Sequence, residues 1–413
     1  MRLTFYGGVN EIGGNKVLVE QRDARFFLDF GFSFSSAKKF FAEFLRPRSF
    51  NILADYFEFG ILPELEGIYR NDYLFKAGRK LTEKLLIDAV VVSHAHADHM
   101  QNIALLHKDV TIYCGETTKL FLKIIQTTSK GGVELELHDY KRAFENRRKK
   151  ESVPRRFKTF RTGRSFRIGS VEVEPVHVDH SIPSSYAFIV YGDETVVYSG
   201  DLRLHGPRSD MTLDFVERAR EAKPDVLIIE GTRVNERERG LSEEQVKQRV
   251  SEFIKQTKNL VVANFSWKDI DRLNSFYQAC EENGRTLVIS PRQAYMLKVL
   301  EKDTKLKVPR VRDANIAIYL PREGWGIVAE DMPIEVKKRD YASKKWMHEF
   351  LEYSNAVTFK DVSKRQSEYV LWLDYFSLNE LIDVKPKKVI PIHTQHAEVF
   401  RRIIGGGVKV EIL

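Results

Sequence analysis

An α/β fold follows from three features of the sequence: short β-branched runs that end in polar or glycine-containing turns, amphipathic helical stretches between several of them, and a dense histidine and aspartate cluster just past one run. The runs are Ala89 to Ser93, Val196 to Ser199, Asp225 to Ile229, Leu260 to Ala263, Thr286 to Ser290 and Lys388 to Ile392. Each reads as a buried strand that delivers a polar residue at its carboxyl end, where open α/β sheets place their ligands. The clearest helical stretch is Ser242 to Gln256, where Ser242 followed by Glu244 and Gln245 predicts a capped start.

At 413 residues the chain exceeds one typical domain. From about Gly240 to Glu368 the alternation reads as a small Rossmann-like domain, whereas the histidine-bearing segments lie before and after it. That order predicts an insertion: residues 1–239 form the first part of a parent domain, 240–368 the inserted domain, and 369–413 the return of the parent. No apolar run approaches the roughly 20 residues of a membrane span, and MRLTFYGGVN leads into strand-like sequence rather than a signal peptide. A cytoplasmic protein with no membrane partner is the expectation. Cys114 and Cys280 lie far apart and match no thiolate motif, so any metal must be held by histidine and carboxylate.

The net charge of +8 suits a phosphate-rich partner and equally a Lys/Glu-rich surface. Basic residues are densest in KRAFENRRKKESVPRRFK, Lys141 to Lys158, where a solvated face and a nucleic-acid contact both remain open.

The strongest signal is His94-Ala-His96-Ala-Asp98-His99, directly after an apolar run. Alternation aims His94 and His96 to one side, and the following turn swings Asp98 and His99 to another, so one loop can serve two adjacent metal sites. Clustered imidazoles and carboxylates need partners to offset desolvation. A divalent metal needs further ligands, each again at a strand end. The candidates are His180 in DHSIP, Asp201 closing YSGD and His393 closing VIPIH.

The HxHxDH loop, a later lone histidine, a Gly-Asp strand end and a terminal strand-borne histidine, in that order, resemble the metallo-β-lactamase superfamily. GGVNEIGGNKVLVE, LDFG with Asp29, YSGDLRLHG, IIEGT with Glu230 and PIHTQH resemble in particular its β-CASP nucleases of the ribonuclease J type. The resemblance implies a metallo-β-lactamase αββα sandwich with an inserted Rossmann-like β-CASP domain. It also implies two divalent metal ions, zinc or alternatively manganese. His94, His96 and His180 would hold one, Asp98, His99 and His393 the other, and Asp201 would bridge them. Two such cations would acidify a bridging water into the attacking hydroxide and stabilise charge on phosphorus. Asp29 would orient the histidine loop, and Glu230 would orient the water or manage the leaving-group proton; His177, which alternates near His180, is open between a structural role and support of that ligand.

The second-domain histidine usual in ribonuclease J relatives, in an SGH or SAH segment, is missing from LWLDYFSLNEL. This leaves His396, Asp374 or a metal-bound water as the proton donor. Ser266, Ser290 and Arg292 follow strands of the inserted domain and suit a substrate phosphate, while Phe265 and Trp267 are open between base stacking and core packing. The leading expectation is hydrolysis of single-stranded RNA, 5′ to 3′ with endonuclease activity open, by a monomer or homodimer. A DNA nuclease, a lactonase or thiolesterase, and a silent binding subunit are the alternatives.

Overall fold

The computed structural model describes residues 1–41, 45–129, 131–141, 152–232, 240–321, 338, 344–373, 388–389 and 409–410. They fall into two compact units, Met1–Leu204 with Arg208–Arg239, and His205–Pro207 with Gly240–Leu413.

The first unit is built on two sheets. One runs, in spatial order, Arg2–Gly7, Lys16–Gln21, Ala24–Leu28, Ala89–Val92, Thr111–Gly115 and Arg156–Phe160. It is antiparallel as far as Ala24–Leu28 and parallel from there on. The other runs Val226–Ile228, Thr195–Tyr198, Tyr186–Tyr191, Val171–His177 and Phe166–Ile168.

A shared apolar layer joins their faces. Val17, Val19, Phe26, Leu28 and Val91 come from the first sheet, and Val171, Val173, Phe188, Val190 and Val196 from the second, all buried in one cluster. Alternation explains the choice, since every second side chain of a strand points inward. The intervening residues Val176, Ala187, Ile189 and Val197 face the other way and pack with Phe215 of the helix Ser209–Glu221. The strand Ala89–Val92 is enclosed on both sides, which is why it reads as an unbroken apolar run. Burying each of its valines contributes about 1.5–3 kcal/mol.

The second unit carries a wholly parallel sheet in the order Val261–Asn264, Tyr369–Leu373, Thr286–Ile289, Ile316–Tyr319 and Ala356–Val357. The helix Glu243–Gln256 begins where the capping pattern predicts, with Ser242 and Gln245 forming a reciprocal capping box. The strand Tyr369–Leu373 lies where the sequence places the return of the parent domain. Tyr369–Leu373 pairs on both sides within the second unit's sheet, because its five residues, all buried, fit an interior parallel strand. Lys388–Val389 pairs in parallel with Lys409–Val410. Among the described residues no helix is long and apolar enough to cross a membrane.

The basic run divides. Its residues 142–151 lie outside the described set. Arg155 turns inward and donates to the Ala104 and Leu106 carbonyls, Arg156 pairs with Asp109, and Lys158 donates to the Tyr113 hydroxyl. Arg155 is thus buried in the structure, whereas Arg156 and Lys158 remain exposed.

Candidate metal centre

The strand Ala89–Val92 ends at Ser93, and the chain turns back on itself under the control of one carboxylate. Asp29 stands at φ 57°, just past the strand Ala24–Leu28, in the left-handed region that Asp tolerates better than most residues. Its Oδ1 accepts from the Ser93 backbone N–H at 2.7 Å. Its Oδ2 accepts from Ser93 Oγ, His99 Nδ1 and the Tyr198 hydroxyl, each at 2.7 Å. A fully buried carboxylate is thereby satisfied, and the His99 ring is fixed with Nε2 pointing away from it.

Backbone contacts hold the rest of the loop. Phe30 and Phe32 N–H donate to the carbonyls of His99 and Ala97, and Asn15 N–H to that of Asp98. Glycine is required at two of the approaches. A Cβ on Gly31 would lie 1.6 Å from the Asp98 carbonyl oxygen, and one on Gly13 would lie 2.5 Å from Asp98 Cβ.

Two further segments complete the cluster. His180 follows Asp179, whose N–H donates to Thr212 Oγ1 and whose carboxylate receives Arg203. Asp201 follows Gly200, at φ 54°. The Glu230 carboxylate accepts from the N–H groups of Leu202 and Thr232 at 3.5 and 2.8 Å, and Glu230 N–H donates to Ser199 Oγ. Glu230 thus braces the turn that carries Asp201.

The ligand atoms form two groups, each within 4.8 Å: His94, His96, His180 and Asp201, and Asp98, His99 and Asp201. His96 Nδ1 lies 3.0 Å from His94 Nε2 and 3.1 Å from His180 Nε2. Asp201 Oδ2 faces the first group, 3.8 Å from His94 and 3.7 Å from His180, while Oδ1 lies 3.1 Å from His99 Nε2. Two imidazole nitrogens on one tetrahedral zinc stand about 3.3 Å apart, so the spacing suits a shared cation.

Electrostatics agree. Burial holds the His180 imidazole down to about 4 against the pull of Asp201, leaving it neutral with a lone pair to donate. Burial alone would raise Asp201, but His99, His180 and His96 outweigh it and keep the carboxylate ionised. Burial raises Asp98, and Asp201 adds to this against the opposing effect of His99. Burial lowers His99, yet Asp201 and Asp29 reverse that and hold it well above the ordinary value. The His99 proton thus neutralises part of a three-carboxylate site, a task a divalent cation would take over.

Asn15, whose Nδ2 lies 3.2 Å from His99 Nε2, and Tyr198 are the supporting residues that sequence reasoning did not single out. Both sit in quoted motifs, GGNK and YSGD, yet nothing local announces their direction. His177 stacks on Tyr186, ring centroids 4.7 Å apart, and its N–H donates to Thr162 Oγ1. Tyr186 N–H in turn donates to the Ser93 carbonyl. His393, His396 and Asp374 lie outside the described residues.

In the second unit Ser290 caps the helix Pro291–Leu300 by accepting from Gln293 N–H. Ser266 is exposed and its carbonyl accepts from Asp269 N–H. The Arg292 guanidinium lies 5.7 Å from the centre of the Trp267 ring. Phe265 is a core residue, 2% exposed and stacked between Trp372 and Phe276.

Two sheets packed through one apolar layer thus carry, at their strand ends, a His/Asp cluster whose spacing suits divalent cations. The family model described as the beta-lactamase superfamily domain matches residues 73–260, which include every described member of the two ligand groups; this segment is similar to that domain. It is similar to ribonuclease J of Sinorhizobium meliloti, 27% identical over 236 residues, 55% of this chain and 37% of the relative. It is also similar to ribonuclease J of Mycobacterium tuberculosis, 24% identical over 324 residues, 76% of this chain and 49% of the relative. The chain thus spans about a third to a half of the length of these curated relatives. A crystal structure of a protein of unknown function from Enterococcus faecalis V583 shares the fold, with a TM-score of 0.64 and 20% identity, covering 100% of this chain and 97% of that one.

Proposed function

We propose that the chain is a two-metal nuclease, zinc-dependent with manganese as the alternative, that hydrolyses phosphodiester bonds of single-stranded RNA from the 5′ end. The observation that carries this reading is the placement of Asp201, one oxygen toward His94 and His180 and the other toward His99. Similarity to the two ribonucleases J supports the choice of substrate.

When bound, the cations would acidify the attacking water and offset the negative charge that builds on phosphorus. The chain's own residues hold the geometry. His94, His96 and His180 form one binding face and Asp98 with His99 the other, with His393 assigned to the second on the strength of the family resemblance. Asp98, its carboxyl raised by burial and by Asp201, is placed to take the proton of the attacking water. Asp29 and Tyr198 keep His99 aimed, and Glu230 keeps Asp201 in place. The departing oxygen needs a proton, which is assigned to His396. Ser266, Ser290 and Arg292 are assigned to a substrate phosphate, with the Ser290 hydroxyl hydrogen still able to donate while its oxygen caps the helix.

The test is direct. Purified protein loaded with zinc or manganese should degrade 5′-monophosphorylated single-stranded RNA, and Asp98→Ala combined with His99→Ala should abolish this. Hydrolysis of a lactone in place of RNA, or RNA cleavage that survives the double change, would overturn the reading. A parallel arm with single-stranded DNA separates the two nucleic acids.

A further inference from the structure

Beside the metal loop lies a set of apolar side chains that the chemistry does not use. Val9, Ile12 and Phe34 are 59%, 67% and 55% exposed. Leaving large apolar groups in water costs stability, and several of them on segments that border a candidate metal centre point to a ligand surface.

Their position is built, not incidental. Ile12 immediately precedes Gly13, whose missing Cβ leaves room for the Asp98 side chain. Phe34 begins the helix Phe34–Phe40, two residues after Phe32 N–H bonds the Ala97 carbonyl. Glu11 ties the two segments together: its carboxylate accepts from Ser33 Oγ at 2.5 Å, Ser35 Oγ at 2.6 Å and Gly8 N–H at 3.1 Å. Gly31 N–H adds a bond to the Asn15 carbonyl. The Phe34 ring is braced by Phe32, with centroids 5.2 Å apart at 82°, and Phe32 leans on the buried Tyr56. The helix contains no acidic residue and carries exposed Lys38 and Lys39 in its last turn.

From this geometry we infer that Phe34, with Ile12 and Val9, forms an apolar shelf on which the base of a nucleotide flanking the scissile phosphate of a single-stranded nucleic acid stacks, while Lys38 and Lys39 receive the neighbouring phosphates. The inference rests on the nuclease reading and assigns it a base-contacting surface. Stacking on an aromatic face tolerates every base, and the flanking lysines complement a phosphate backbone. The shelf therefore selects an unpaired strand without selecting its sequence.

The experiment measures KM and kcat of the zinc-loaded protein on a 5′-phosphorylated RNA decamer, and on a series in which one nucleotide at a time is abasic. Phe34→Ala should raise KM about tenfold with kcat little changed, and Phe34→Trp should restore it. One abasic position should raise KM of the wild type by a similar factor and leave Phe34→Ala unaffected, a non-additivity that a purely structural defect does not produce. Matching circular dichroism spectra exclude misfolding, and Ile12→Ser gives a second, smaller KM effect. If the wild type cleaves RNA but Phe34→Ala and Ile12→Ser leave KM within twofold and no abasic position couples to Phe34, the shelf is wrong and the nuclease reading stands. A wild type that cleaves neither RNA nor DNA removes both. Sedimentation showing a dimer that Phe34→Ala dissociates, with KM unchanged, would identify the patch as a self-association face and overturn the shelf.

Discussion

His99 Nδ1 donates to Asp29 Oδ2 at 2.7 Å, across seventy residues of sequence, and this bond decides which imidazole nitrogen faces the metal groups. Asp29→Asn keeps the shape but replaces one acceptor oxygen with a donor. The expected result is a 10- to 100-fold loss of metal affinity, read by competition with a chromophoric chelator. Tyr198→Phe, which removes one of the four bonds to that carboxylate, should cost less. Unchanged affinity in Asp29→Asn would show that the bond only packs the loop.

The two ligand groups share Asp201 but not His180. Metal-loaded wild type should retain two equivalents of zinc after dialysis, His180→Ala about one, and Asp201→Ala less than either, as measured by elemental analysis. Chelation should lower Tm, because a cation that binds only the folded state stabilises it by mass action. Equal stoichiometry in wild type and His180→Ala would refute separate sites.

Gly31 and Gly78 separate close approach from backbone preference. A Cβ at position 31 meets the Asp98 backbone, whereas at position 78 it meets nothing within 4 Å although φ is +64°. Gly31→Ala should cost about 3 kcal/mol or more and reduce metal binding; Gly78→Ala should cost about 1 kcal/mol and leave metal binding intact. Urea denaturation with metal titration checks both.

Burial pushes Lys16 down to about 8, with Glu11 opposing. Between that value and the ordinary lysine range, the folded protein has released the proton while the unfolded chain keeps it. The unfolded state binds more protons in this window, so stability rises with pH from about 8 to about 10.5. Below 8 the burial cost is present in full. Denaturation of wild type against Lys16→Met should show a relative gain for wild type of about 2–3 kcal/mol across that window; a constant difference would refute the burial cost.

Ser290 offers a distinction between capping and phosphate binding. Ser290→Asp preserves the cap acceptor but sets a negative charge against a phosphate. It should leave Tm nearly unchanged and raise KM for 5′-phosphorylated RNA, with little effect on RNA bearing a 5′ hydroxyl. An equal effect on both substrates would leave Ser290 as a cap alone.

The sequence by itself determined what depends on near neighbours. Four adjacent apolar residues sufficed to place His94 to His99 past a strand end, and Ser242 with Gln245 sufficed to start a helix, because strand alternation and capping act over a few residues. Tertiary structure decided the rest. Tyr198 reaches Asp29 because alternating residues of both sheets meet in one apolar layer; Arg155 turns inward because carbonyls fifty residues away need donors; Tyr369–Leu373 joins the second unit's sheet because it fills the place between Val261–Asn264 and Thr286–Ile289 and bonds to both. Such pairings are set by which distant surfaces exclude water together, and that choice is made by the folded chain as a whole.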